Sequence, residues 1–249
     1  MSIFWALLRR ELSAFFFSLT GYVIIAAVTL LIGSSFVMLI YNLGTDSFAM
    51  PVTQLFFNSF LYWLVVILIT PVITMRLFAL EKASGTFENL MTTAVTDAQV
   101  VAAKFIAAVM FYLLTWLPTL LSLLIVQRFT HQPSLDWSLV ASVYLGIFLS
   151  GCLFLSIGSL ASALTRSQMV AAVVSLAVGV MLFIVAYMAQ ALPASTAAQS
   201  QLLYFFNLFK QMEDFTRGVI DTRTVIFYVS VTLLFLFLTL RVVESRRWK

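Results

Sequence analysis

The stretch "FALEKASGTFENLMTTAVTDAQVVAAKF", residues 78–105, is a charged segment that separates two hydrophobic runs. Its charged residues are Glu81, Lys82, Glu88, Asp97 and Lys104. The runs on either side, residues 47–75 and 105–127, carry no charge at all. Because a membrane-spanning helix needs about 20 apolar residues, each run is long enough to cross a bilayer. The stretch therefore predicts a loop between two spans.

Charge-free runs continue along the rest of the chain, at residues 12–45, 137–165, 167–209 and 224–240. The 249 residues are 62% hydrophobic and 10% charged, whereas soluble domains carry about 25% charged residues. The runs also lack the alternation of a β-barrel. The sequence therefore predicts an all-α integral membrane protein, residues 1–249 forming a single transmembrane domain. The six predicted spans are residues 19–41, 55–77, 100–126, 137–163, 167–191 and 223–241.

Basic residues are unevenly distributed between the two sides of this topology. Cytoplasmic loops collect Lys and Arg, and ten of the 14 basic residues fall on the side that holds both termini. These ten are Arg9, Arg10, Arg76, Lys82, Lys104, Arg166, Arg241, Arg246, Arg247 and Lys249. The expectation is that both termini and the 78–105 loop are cytoplasmic. Because these charges flank spans, the net charge of +4 does not indicate a nucleic-acid partner.

An amphipathic segment precedes the first span. Apolar residues recur there at helical spacing, at Phe4, Leu8, Leu12, Phe15 and Leu19, while Arg9, Arg10 and Ser13 fall elsewhere on the helical wheel. This pattern is typical of a helix in the membrane interface. The alternative is a first span that starts early.

A second amphipathic segment lies between the fifth and sixth spans, on the outer side. Its apolar face is formed by Phe205, Phe209, Met212, Phe215 and Val219. Gly218 suits a helix end, and Asp221 is a candidate cap for the last span. The expectation is an outer interfacial or re-entrant helix, and the alternative is an ordinary loop helix without a role in transport.

The 78–105 loop has its own helix signals. Residues 76–83 are predicted to extend the second helix, and Gly85 to end it with a positive φ. Thr86 then suits the cap of a short helix over residues 87–91, and Glu88 lies near the positive N-terminus of that helix. Thr96 and Gln99 form a capping box for the third span.

So short a helix is not stable alone in water. It therefore needs a partner surface, on which Phe87 and Leu90 can pack while Glu88 offers a charge. The alternative is a solvated hairpin between two spans.

Inside the spans the residue pattern indicates helix–helix packing rather than catalytic or proton-transfer sites. Small residues form ladders that let helices approach closely, at Gly146, Ser150, Gly158, Ser162, Ala171, Ser175 and Gly179. No ionisable residue is expected well inside a span, which disfavours proton relays. The single histidine, His131, falls in an outer loop, and the single cysteine, Cys152, suits apolar packing. No catalytic or metal-binding residue is predicted, and no G-x-x-x-x-G-K-[ST] motif for ATP occurs.

Three stretches together resemble the ABC-2 permeases, the membrane subunits of one class of ATP-binding-cassette transporters. "EKASGTFENLMTTAVTDAQVVAAKF", residues 81–105, is similar to their cytoplasmic signature, with Glu81, Gly85, Thr86 and Glu88 in the characteristic pattern. "LGIFLSGCLFLSIGSLASALTRSQMVAAVVS", residues 145–175, resembles their fourth and fifth helices. "MEDFTRGVIDTRTVIFYVS", residues 212–230, resembles their outer helix and sixth span. The subgroup that these stretches resemble is the gliding-motility (Gld-type) permease.

The resemblance implies a set of roles and partners. The helix before the first span would be an elbow helix, and the short loop helix would be the coupling helix that docks on a cytosolic ATPase. ATP and Mg²⁺ would bind that partner, this chain holding no cofactor. A second permease chain would complete the path, in the inner membrane of a bacterium, with an accessory membrane or extracytoplasmic subunit as a further possible partner. Two other functions stay open: a membrane scaffold without a transport path, and a self-sufficient secondary transporter.

Overall fold

The computed structural model describes residues 3–43, 56–57, 59–86, 96–130, 137–191 and 204–245. Within these ranges the chain is helical and contains no strand. The helices are α1 (Ile3–Phe16), α2 (Leu19–Leu43), α3 (Phe60–Thr74), α4 (Ala79–Ser84), α5 (Asp97–Thr115), α6 (Leu117–Thr130), α7 (Trp137–Leu164), α8 (Gln168–Ala191), α9 (Leu208–Thr216) and α10 (Thr222–Ser245).

Six helical segments of the described chain are long and apolar enough to cross a membrane, which confirms the predicted number of spans. They are α2, α3 with α4, α5 with α6, α7, α8 and α10. The third of them is interrupted at Trp116, two residues before Pro118, because proline cannot donate a helical hydrogen bond. The capping box of Thr96 and Gln99 at the start of α5 is confirmed.

The spans run up and down between two ends of the bundle, named here the α4 end and the α9 end. At the α4 end, Arg76 after α3 donates a hydrogen bond to Ser18 before α2, 3.2 Å away. Lys104 of α5 also lies there, paired with Glu81 of α4. At the α9 end, the Tyr204 hydroxyl lies 3.2 Å from that of Thr224 in α10.

Helix α7 is the centre of the bundle and packs against α3, α5, α8, α9 and α10. Its small residues make this possible, because they let neighbouring backbones approach closely. At Gly158 an added Cβ would overlap the Thr74 hydroxyl of α3 and lie 2.9 Å from Ser175 Oγ of α8. The outer faces of α2, α8 and α10 instead expose apolar side chains such as Leu30, Met181 and Leu234. In a membrane protein these faces contact lipid.

Helix α1 is separate from the first span, because the chain turns at Phe17 and Ser18. The Ser18 hydroxyl accepts a hydrogen bond from the Gly21 backbone N–H at the start of α2. The apolar face of α1 packs on α5, where the ring of Phe15 stacks on Phe111 at 4.9 Å. Leu19 is not part of this face: it belongs to α2 and is 81% exposed.

A pair of glycine substitutions tests how tightly α7 is packed. Gly158→Ala is expected to lower the free energy of unfolding by about 1–3 kcal/mol, because overpacking forces α3 and α8 apart. Gly33→Ala is the matched control, since an added Cβ there has no atom within 4 Å. Thermal unfolding in mild detergent should show a lower melting temperature for the first variant only. Equal melting temperatures would mean that α7 is not closely packed at Gly158.

Candidate coupling site at the α4 end

The second span is interrupted between α3 and α4 by a hydroxyl group from α7. Ser162 Oγ accepts hydrogen bonds from the backbone N–H groups of Phe78 and Ala79, each at 3.1 Å, and donates one to Met75 O at 3.2 Å. These bonds replace those of a continuous helix. The prediction that residues 76–83 simply extend the second helix is therefore wrong, because Met75 O and the N–H groups of Phe78 and Ala79 bond to α7 instead.

Helix α4 is held at its other end as well. Lys82 Nζ donates a hydrogen bond to Ala163 O at the carboxyl end of α7, where a cation complements the helix dipole. Gly85 ends α4 with φ of 73°, which confirms the predicted positive φ. The hydroxyl groups of Ser84 and Thr86 lie 2.8 Å apart across this turn. Helix α4 is thus fixed to α7 at both of its ends.

Four charged side chains from three helices meet beside α4 and are named here the charge cluster: Arg10, Glu11, Glu81 and Lys104. Lys104 Nζ lies 3.2 Å from Glu11 Oε1 and 2.9 Å from Glu81 Oε1. Arg10 Nη2 lies 2.6 Å and 3.0 Å from the same two oxygens. Each carboxylate is therefore paired with both cations, and the cluster ties α1 to α4 and α5.

The cluster is largely removed from solvent. The Lys104 side chain is 3% exposed, and those of Glu11 and Glu81 are 10% and 18% exposed. Arg10 is half exposed and closes the cluster on the solvent side. Burial lowers the pKa of Arg10, but hydrogen bonds and charge attraction from Glu11 and Glu81 outweigh it and raise the pKa overall. Arg10 therefore stays a cation at any physiological pH.

Sequence reasoning missed this cluster because it counted Lys104 among the basic residues that flank spans. Lys104 does lie at the α4 end, but it is buried on the inner face of α5 between Val100 and Ala108. The signal was present in the sequence: Lys104 falls within an apolar stripe at helical spacing. A buried ammonium group requires carboxylate partners, which pointed to the acidic residues of α1 and α4.

A cavity of about 240 Å³ adjoins the charge cluster, between α1 and the corner that joins α3 to α4. All four residues of the cluster line it, as does Arg76. Its remaining walls are apolar and include Phe15 and Leu80.

The predicted coupling residues divide into two groups. Glu81 lies in the charge cluster, and Gly85 and Thr86 form the turn after α4. Phe87, Glu88 and Leu90 lie outside the described residues, so the short coupling helix stays a prediction. What the structure adds is that α4, which precedes this predicted helix, is fixed to α1, α5 and α7.

The small residues predicted for helix packing are all buried. Ser150 Oγ lies 2.9 Å from the Tyr62 hydroxyl of α3. At Gly146 an added Cβ would lie 2.9 Å from the Phe215 ring of α9. Ala171 and Ser175 are buried on α8, and at Gly179 of the same helix an added Cβ would lie 3.6 Å from the Phe154 ring. Ser162 does more than pack, because it bonds to the α3–α4 break.

Helix α9 is an amphipathic helix seated on the opposite end of the bundle. Met212 and Phe215 are buried against α7, and Phe209 contacts the rings of Trp63 and Phe183. The helix ends at Gly218, which has φ of 78°. Val219 N–H donates to Asp214 O and Gly218 N–H donates to Phe215 O, which defines a Schellman motif. This turn leaves Val219 exposed, so the prediction that Val219 shares the apolar face is wrong.

The connection from α9 to α10 is held by side-chain hydrogen bonds. Asp221 Oδ1 accepts one from the Arg223 backbone N–H at 2.9 Å, at the start of α10. The Tyr204 hydroxyl donates to Asp214 Oδ2 at 2.7 Å. Burial, together with the Asp214 carboxylate, raises the pKa of Tyr204 to about 12. Tyr204 therefore remains protonated and keeps this bond.

Six apolar spans and two amphipathic helices at opposite ends define a multi-pass membrane protein. A family model described as "ABC-2 family transporter protein" matches residues 13–186. The match covers well over half of the chain, so the chain belongs to this family of transporter proteins. It confirms the ABC-2 resemblance, while the Gld-type subgroup stays a prediction. A comparison with curated proteins found no match.

The charge cluster gives a stability prediction. Lys104→Met leaves two carboxylates facing each other in a buried site, and losing one partner of a buried ion pair costs about 3–5 kcal/mol. We expect a marked fall in melting temperature in mild detergent. Lys210→Met is the control, because Lys210 is exposed on α9.

A compensating variant distinguishes the loss of charge balance from the change in side-chain shape at position 104. Adding Glu81→Gln to Lys104→Met removes one of the two facing carboxylates and leaves Glu11 paired with Arg10. The double variant is expected to recover part of the lost melting temperature. Equal effects of Lys104→Met and Lys210→Met, or no recovery in the double variant, would contradict a buried cluster.

Proposed function

We propose that this chain is the permease subunit of an ABC-2 transporter and couples to a separate cytosolic ATPase through the segment that follows α4. In this proposal residues 87–91 form a short coupling helix. Phe87 and Leu90 pack in a cleft of the ATPase, and Glu88 pairs with a basic or hydrogen-bonding group there. A second permease chain completes the path, and ATP and Mg²⁺ bind the ATPase. Membership of the ABC-2 family supports the proposal.

The observation that carries the coupling proposal is the mounting of α4. Ser162 and Lys82 fix it to α7, and Glu81 fixes it to Lys104 of α5 and Arg10 of α1. A segment that leaves so fixed a helix transmits a displacement to three helices at once. A freely moving loop would lose the same displacement in its own flexibility.

The buried cluster and the tight α7 packing are compatible with both a permease and a scaffold. A measurement of substrate transport distinguishes the two. A scaffold would bind the ATPase without making its hydrolysis depend on substrate, whereas a permease in lipid should change ATP turnover and move substrate. Co-purification with the ATPase also gives the stoichiometry, which we propose to be two permease chains and two ATPases.

The coupling proposal is tested by Glu88→Ala in the complex reconstituted with its ATPase. Truncating one partner of a desolvated charge contact typically costs about 2–5 kcal/mol, so ATPase docking should weaken or hydrolysis should uncouple from transport. Gly85→Val should act in the same direction, because a β-branched residue resists positive φ. Complex yield, ATP turnover and transport are measured together.

Glu244→Ala is the control for these variants, because Glu244 is also acidic and at the α4 end, but among the described residues it pairs with Arg241 on an exposed helix face. It should leave all three measurements unchanged. Wild-type behaviour of Glu88→Ala in all three would show that the loop is a solvated hairpin.

We further propose that the α4 end faces the cytoplasm of a bacterial cell, with the chain in the inner membrane. The ten-to-four distribution of basic residues supports this orientation. In a Cys152→Ser background, Ala83→Cys and Arg217→Cys place single thiols on exposed positions of α4 and just after α9. A membrane-impermeant thiol reagent should label only the second in intact cells, and both after permeabilisation. Labelling of Ala83→Cys alone in intact cells would reverse the orientation.

A further inference from the structure

We propose that the cavity between α1 and the α3–α4 corner binds the headgroup of an anionic phospholipid with a phosphoglycerol group. The cavity has a volume of about 240 Å³, which is room enough for a phosphate and a short polyol. This inference rests on the membrane location of the chain and not on its proposed coupling to an ATPase.

The charges that line the cavity leave one cation for a ligand. Lys104 and Arg10 are neutralised by Glu11 and Glu81 within the charge cluster. Arg76 has no carboxylate within 4.0 Å among the described residues. The cavity walls therefore carry a net positive charge that is centred on Arg76.

Arg76 is held in place by neutral partners. Its Nη1 donates hydrogen bonds to the hydroxyl groups of Ser18 and Thr20 at the start of α2. Its other N–H groups, on Nε and Nη2, make no hydrogen bond to the described residues and are available to a ligand. A guanidinium group presents its donors in a planar fork that matches a phosphate. Arg76 is thus a positioned phosphate donor at the cavity wall.

Glu81 supplies the complementary observation. Its Oε1 is used by the charge cluster, but its Oε2 is buried and has no hydrogen-bond partner among the described residues. A buried acceptor of this kind calls for a donor. A ligand that carries a hydroxyl beside its phosphate satisfies Arg76 and Glu81 together. A phosphoglycerol headgroup has this combination.

The surroundings of the cavity favour a lipid over a free phosphate. Arg76 follows one span and Ser18 precedes another, so the cavity lies at the end of two spans, where headgroups lie. Leu80 on its wall is 41% exposed. Phe17 and Leu19, beside Ser18, are 86% and 81% exposed. These apolar surfaces can carry acyl chains, and basic pockets of this kind between helices bind acidic headgroups.

Lipid retention measured by native mass spectrometry of the purified chain tests the proposal. The chain is mixed with equal amounts of phosphatidylglycerol and phosphatidylcholine, and retained lipid is counted. Wild type should retain one phosphatidylglycerol in preference to phosphatidylcholine. Arg76→Gln should reduce that retention about tenfold, the scale of one lost charge-assisted hydrogen bond.

Two further variants make the result specific. Arg9→Gln removes a cation from the same end of the bundle, but Arg9 is exposed and does not line the cavity, so retention should be unchanged. Ala14→Leu fills the cavity from its exposed wall without any change of charge, and it should reduce retention as Arg76→Gln does. This second variant keeps the test valid if loss of Arg76 impairs folding.

Competition experiments distinguish a lipid phosphate from free inorganic phosphate as the ligand of the cavity. Inorganic phosphate should not displace phosphatidylglycerol, and phosphatidic acid, which lacks the glycerol headgroup, should be retained less. Displacement by inorganic phosphate would overturn the lipid assignment. So would equal losses in Arg76→Gln and Arg9→Gln, or equal retention of the two lipids in wild type. If Arg76→Gln spares lipid but lowers ATPase co-purification, the cavity belongs to a protein partner and the proposal is wrong.

Discussion

Lys104 must keep its carboxylate partners, because an unpaired ammonium group in a buried site costs several kcal/mol. Its two partners, Glu11 and Glu81, come from α1 and α4. These ion pairs therefore fix the position of α1 and the direction in which α4 continues from the second span. They also fix the contact of both helices with α5, the first half of the third span. Arg10 completes the arrangement on the solvent side. The position of Gly85, at the end of α4, follows from these pairs.

Ser162 also holds α4 in place at this end of the bundle. Its position depends on the packing of α7. Its hydroxyl reaches the backbone of residues 75–79 because α7 lies close to the end of α3, and Gly158 allows that approach. One helical turn of small residues thus serves two purposes. Gly158 brings the helices together, and Ser162 uses the proximity to break the second span and restart it as α4. Substitution at Gly158 should therefore disturb the α4 break as well as core packing.

Much of the fold followed from the sequence, because charge-free runs and cap signals are local. The six spans, the capping box of Thr96 and the helix ends at Gly85 and Gly218 all depend on neighbouring residues. The charge cluster did not follow, because Glu11 and Lys104 are 93 residues apart in sequence. The break at residues 75–78 was missed for the same reason: its cause is a serine on another helix. Leu19 and Val219 were placed on apolar faces that chain turns in fact interrupt.

The arrangement at the α4 end has a consequence for how force can pass through it. An ion pair in a buried site is stiff against separation, since either charge left alone is costly. Glu11, Glu81 and Lys104 are all largely buried, so the cluster resists pulling α4 away from either α1 or α5. Arg10 adds a pair to each carboxylate from the solvent side. A displacement of α4 would therefore reach α1 and α5 together.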